Sequence, residues 1–177
     1  TSKDKLQITF KLRKNVPFHA TSFFKPTRQF NADDVVFTFN RMMKKDHPFH
    51  AVNGGVYEYF TSMEMDKLVK EVKKVDDHTI TFVLTRPETP FIANMAMDFA
   101  SILSAEYGEQ LQKAKTLEKI DLEPVGTGPF KFVRYEKDSQ IRFEAHEGYY
   151  EGKPKIERLI FAITTDPSVR TQKLKRG

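Results

Sequence analysis

Apolar and polar side chains alternate strictly at the start of the chain. In KLQITFKLR, Leu6, Ile8, Phe10 and Leu12 share one face, and Gln7, Thr9, Lys11 and Arg13 share the other. This two-residue period predicts a half-buried strand. Asn15 to Thr27 follows as a loop, because Pro17 and Pro26 block regular structure. The period then lengthens. In FNADDVVFTFNRMMKK, Val35, Val36, Phe39, Met42 and Met43 recur at helical spacing. Asn31 is placed to accept a free amide hydrogen of the first turn. Asp33 and Asp34 lie where the helix dipole favours negative charge, and Lys44 and Lys45 suit the far end.

Beyond this helix the pattern weakens. DHPFHAVNGGVYEYF reads as irregular, with a turn at Gly54 and Gly55. Val72 to Leu84 predicts a hairpin turning at Asp76 and Asp77, with Ile80, Phe82 and Leu84 on one face. Thr89 is the expected N-cap of a short helix with Pro90 in its first position, stacking Phe91 on Met95. Ser104 caps another, SAEYGEQLQKA, with Glu106 in the first turn. Phe130 and Phe132 alternate with Lys131 and Val133, and Ile141, Phe143 and Ala145 with Arg142 and Glu144, around the turn KDSQ. IERLIFAIT is the last expected strand, and TQKLKRG reads as an unfinished helix.

Composition narrows the classes. A chain of 177 residues is long enough for one domain with a real core. Sixteen phenylalanines and no tryptophan point first to aromatic packing. Cysteine is absent, which excludes disulfides, a thiol nucleophile and thiolate metal ligands, but leaves the compartment open. No apolar run approaches the roughly 20 residues of a membrane-spanning helix. The net charge is +5, yet basic residues are interleaved with acids, as in KLVKEVKKVDD. A solvated mixed surface accounts for this more simply than a stripe for anions. The chain opens directly into a strand without an initiator methionine or signal peptide, so a piece of a larger protein is expected.

PVGTGPFKFVRY, residues 124–135, is the stretch closest to a chemical motif. A phosphate loop needs a helix after its glycines, because the helix N-terminus supplies the positive end. Here a strand pattern follows, and no lysine stands in P-loop register. Gly126 and Gly128 are therefore expected to provide positive φ or close backbone approach, with Pro129 opening an edge strand. Catalytic constellations are missing: no G-x-S-x-G, no H-E-x-x-H and no EF-hand loop. The five histidines, at 19, 47, 50, 78 and 146, are scattered. His47 and His50 lie three apart, but Pro48 spoils helical geometry for a metal pair. Tyr57, Tyr59 and Phe60 read first as buried anchors of a loop, and second as residues facing a cleft. The carboxylate pairs Asp33–Asp34 and Asp76–Asp77 have helix-start and turn explanations, so no catalytic residue and no metal ligand is assigned.

Taken in order, ITFKLRKNVPFH, FNADDVVFTFNRMM, VKKVDDHTITFVLTRPETPFI and VGTGPFKFVRYEKDSQIRFEAHEGYYEGKPKIERLIFAI resemble bacterial solute-binding proteins of the peptide and nickel ABC importers (family 5). The likeness covers essentially the whole chain. RPETPFIANMAMDFASILS and GGVYEYF are most similar to the dipeptide-binding branch and its haem- or glutathione-binding relatives. The resemblance implies an α/β fold of α+β character, part of a type II periplasmic-binding-protein lobe, with a mixed sheet and short helices. It implies that residues 1–163 are mostly an added subdomain of the first of two lobes. Residues 164–177 would begin a segment re-entering the main lobe, and GTGPF would lie near that return. The implied activity is binding of a small peptide, or of glutathione or haem, by lobe closure, without a cofactor other than haem as ligand. The implied partner is an inner-membrane ABC permease, and the implied state is a monomeric, periplasmic protein, either free or lipid-anchored. The groups that clamp a peptide's charged ends are expected outside these residues, so no ligand contact is assigned. Two other classes remain for comparison. A hydrolase with dispersed carboxylates would lose turnover on a single Asp or Glu substitution. A nucleic-acid module would show steep salt dependence, but its phenylalanines would have to leave the strand faces where they fill a core.

Overall fold

The computed structural model describes residues 1–176; Gly177, the end of the expected last helix, lies outside them. The first strand forms as its alternation requires. β1 (Gln7–Lys11) buries Ile8 and turns Gln7, Thr9 and Lys11 outward. β2 (Val69–Asp76) and β3 (Thr79–Leu84) make the hairpin, and the sheet order is β1-β3-β2, antiparallel throughout. The hairpin starts three residues earlier than expected, because a register shift between Val69 and Glu71 continues the pairing past Val72. Central β3 is buried on both faces. On its outer face Lys11 Nζ donates to Thr79 Oγ1 at 2.8 Å, and the hydroxyls of Thr9 and Thr81 meet at 2.9 Å. The neighbouring strand therefore satisfies the threonines that water does not reach.

Helix α1 (Ala32–Met43) packs on this sheet. Its start is a reciprocal capping box: Asn31 Oδ1 accepts from the Asp33 amide, and Asp34 Oδ2 accepts from the Asn31 amide. Val35, Phe39 and Met42 join Ile8, Phe82 and Phe91 in the first core, where Phe82 meets Phe39 and Phe91 edge-on at 4.9 and 5.4 Å. Each such ring contributes about 1.5–3 kcal/mol by burial. A second core gathers Phe18, Phe24, Phe49, Tyr107, Leu111 and Val125 beside it. Phe30 packs against both.

The intervening chain supplies short helices. α2 (Glu58–Ser62) begins inside a stretch expected to be irregular up to Phe60, and α3 (Met65–Leu68) follows it; one turn is too short to show a period. α4 (Phe91–Asn94) is a single turn. The expected Thr89 cap does not form: Pro90 occupies the cap position and no side chain caps the turn, which is held by the fully buried Phe91. α5 (Ala105–Ala114) is capped by Ser104 as expected, its Oγ accepting from the Tyr107 amide at 3.2 Å. α6 (Lys119–Leu122) follows. The remaining chain builds a second antiparallel sheet, β4 (Phe130–Glu136), β5 (Gln140–Ala145) and β6 (Arg158–Ala162), in the order β4-β5-β6, and then α7 (Pro167–Arg176). The mixed α and β character is as expected. The sheets themselves are not mixed, because their pairings come from hairpins, short returns and β1 alongside β3, with no parallel crossover among the described residues.

Candidate ligand-facing groove and the glycine turn

α1 carries a second stripe that its apolar period conceals. Asp34, Thr38 and Arg41 point away from the first core, and all three are buried. Asp34 Oδ1 accepts from Arg28 and from the Ala105 amide, and Oδ2 from Arg28 and the Asn31 amide, all at 2.8–2.9 Å. Thr38 Oγ1 donates to the Asp34 carbonyl and accepts from the Leu103 amide. Arg41 donates through Nη1 and Nη2 to the two oxygens of Asp121 on α6, at 2.8 and 2.6 Å, and through Nε to the Phe49 carbonyl. Burial pulls the Arg41 pKa down, but the Asp121 carboxylate outweighs it and the net direction is up.

Above this stripe lies an open groove of about 410 Å³. Arg41, Asp121, Tyr57, Tyr59, Phe60 and Phe99 are among the residues that line it. The two tyrosines are brought to the same groove in different roles. Tyr57 is a loop anchor: its hydroxyl donates to the His50 carbonyl at 3.0 Å, its ring lies under the Arg41 guanidinium, and burial raises its pKa. Tyr59 is 56% exposed at the groove. The pairing of Arg41 with Asp121 has no signature in the sequence. They stand eighty positions apart, and a lone arginine at the end of a helix carries no pairing signal.

The histidines at 47 and 50 serve the fold. His47 stacks edge-on against Phe37 at 5.2 Å, and burial lowers its pKa; His50 Nδ1 bonds the Arg41 carbonyl at 2.7 Å. No group of three or more potential metal ligands occurs among the described residues.

At Gly126–Phe130 the chain turns into β4, and a strand follows the glycines where a phosphate loop needs a helix. Positive φ, however, is absent: neither Gly126 nor Gly128 adopts it. A Cβ on Gly128 would meet nothing within 4 Å, and one on Gly126 would reach His19 Cε1 at an ordinary 3.6 Å. The turn is held by hydrogen bonds instead of by glycine geometry. The His19 amide donates to the Gly126 carbonyl at 2.8 Å, and the Gly126 amide donates back to His19 Nδ1 at 3.3 Å. His19 Nε2 bonds the Gly128 carbonyl at 2.9 Å, so this nitrogen carries the ring proton. His19 is thus placed against the turn, beside a cavity of about 390 Å³. Its ring also meets that of His146 with centroids 4.8 Å apart, so two of the five scattered histidines converge.

Similarity to known proteins runs along the same path. The chain is 56% identical over 176 residues to a dipeptide-binding protein of Escherichia coli, covering 99% of this chain and 33% of that protein. It is 48% identical to heme-binding protein A of Haemophilus influenzae, covering 99% and 32%. The crystal structure of a dipeptide-binding protein from a Pseudoalteromonas species, in complex with Met-Leu, superposes with a TM-score of 0.93 at 41% identity, covering 99% and 34%. The chain therefore spans about a third of the length of the curated relatives it matches. The model of the middle region of the bacterial extracellular solute-binding proteins of family 5 matches residues 1–177, and the chain belongs to that family.

Proposed function

We propose that this chain is the middle part of the substrate-binding component of an ABC importer for dipeptides and other small peptides. The observation that carries the proposal is the near-complete match, in sequence and in backbone, to dipeptide-binding proteins, one of them with Met-Leu bound. The family binds solutes, so the work is enclosure of a ligand without making or breaking bonds. The groove over Arg41 and Asp121 is consistent with this role. Its guanidinium is already neutralised by a carboxylate, which leaves aromatic walls to contact side chains while the charged ends of the peptide are clamped by parts of the protein beyond this chain. Residues 1–163 form the added subdomain of the first lobe, and residues 164–177 lead back into the main lobe. The exposed apolar face of the second sheet supports that arrangement: Tyr135, Phe161 and neighbouring Leu122 face outward, and α7 buries no side chain. The protein works in the periplasm and delivers its ligand to a membrane permease.

A second reading, haem binding, is favoured by the 48% identity to heme-binding protein A. A thermal-shift panel on the full-length protein decides between them. Dipeptides such as Met-Leu are expected to raise the unfolding temperature, by an amount that grows with ligand concentration. Stabilisation by haemin together with a Soret band, and none by dipeptides or oxidised glutathione, would replace the first reading with the second.

A further inference from the structure

We propose that His19 and His146 form a proton-sensitive latch that fastens the second sheet to the N-terminal loop through the Gly126–Gly128 turn. Both rings are buried, with 4% and 8% of their surface exposed. Three segments meet at them. Residues 17–19 come from the loop after β1, residues 126–129 from the turn before β4, and His146 from the end of β5. The His146 amide also donates to the Pro129 carbonyl at 2.8 Å, which closes the junction from the other side.

The hydrogen bonds define the protonation of the His19 ring. His19 donates from Nε2 to the Gly128 carbonyl, and its Nδ1 lone pair receives the Gly126 amide. His146 Nε2 is buried without a partner. Each ring has one nitrogen where a proton does harm. On His19 Nδ1, a proton would confront the Gly126 N–H and break that bond. On His146 Nε2, it would create a buried cation with no acceptor.

The charged neighbours add to the effect. The charge of Lys131 on β4 opposes protonation of both rings. Its own charge is held by Glu144 on β5 at 2.9 Å. Glu147, next to His146, turns outward to Lys153 at 3.1 Å. Burial first, then His146 and Lys131, push the His19 pKa down to about 4, against the opposing bond to Gly128, and burial lowers that of His146 as well. The folded junction thus binds protons more weakly than a free imidazole. Its contribution to stability is complete above a pH of about 6.5 and is lost as the pH falls toward about 4. The cavity beside the turn has His19 as part of its wall, so proton uptake loosens that wall.

The test uses the intact protein. Ring titrations by NMR are followed together with the hydrogen-exchange protection factor of the Gly126 amide, from about pH 7 to about pH 4.5. The expected result is a His19 ring that stays neutral, as the Nε2–H tautomer, well below the ordinary histidine value. Protection at Gly126 then falls about tenfold or more across the range. In His146→Phe, which keeps an aromatic ring but cannot take a proton, the fall is smaller. A His19 ring that titrates near its ordinary value, or Gly126 protection that does not change with pH, would overturn the latch. The wild-type measurements decide the matter even if His146→Phe does not fold.

Discussion

Asp33 and Asp34 show how differently two adjacent, identical side chains are used. Asp33 is exposed and interacts with Lys74 across the surface. Asp34 has no solvent exposure and accepts four hydrogen bonds that join the N-terminal loop, the helix start and α5. Asp34→Ala removes all four and leaves the Arg28 guanidinium and two amides without their acceptor. A loss of about 3 kcal/mol or more is expected in denaturant unfolding. Asp33→Ala is expected to cost under about 1 kcal/mol, as for exposed pairs. From sequence both aspartates carried the same helix-dipole explanation. The cap at Asn31 was readable because it depends on neighbours three positions away. The burial of Asp34 depends on Arg28 and on the amide of Ala105, and nothing local in the chain announces the second of these.

Strands and long helices were readable for the same reason that their errors are small: each repeats its apolar period several times. β1, α1, α5 and the two hairpins emerge where expected, with their ends displaced by a few positions. The single-turn helices α2, α3 and α6 have no period to display. Contact between elements was also out of reach, and Gly108 on α5 is the clearest case. A Cβ there would sit 2.6 Å from Cζ of Phe37 on α1. That ring cannot swing aside freely, because it packs edge-on against His47 and Phe49 at 5.2 and 5.4 Å. Gly108→Ala should raise intrinsic helix propensity, yet it is expected to destabilise the protein by about 1–3 kcal/mol through overpacking. A rise in the urea midpoint would show instead that α5 can shift away from α1 without loss.

Across the whole chain, cohesion is uneven. The first sheet and α1 enclose a continuous core, whereas α7 buries nothing and Leu174 is 85% exposed. In the isolated 177-residue chain, amides of α7 are expected to exchange close to the free-peptide rate while those of β3 are protected to near the global unfolding limit. Equal protection in both would contradict the proposed return of residues 164–177 into a lobe outside this chain. The resemblance read from the ordered motifs placed the family correctly. It could not reveal the groove over Arg41 or the meeting of His19 with His146, since both join positions far apart in sequence.

α1 is committed on two sides, its apolar stripe to the first sheet and its buried polar stripe to the loops and helices opposite. Such a helix cannot roll about its own axis without stripping one set of partners. Any force reaching this region must therefore shift it bodily, like a keystone that travels with its arch.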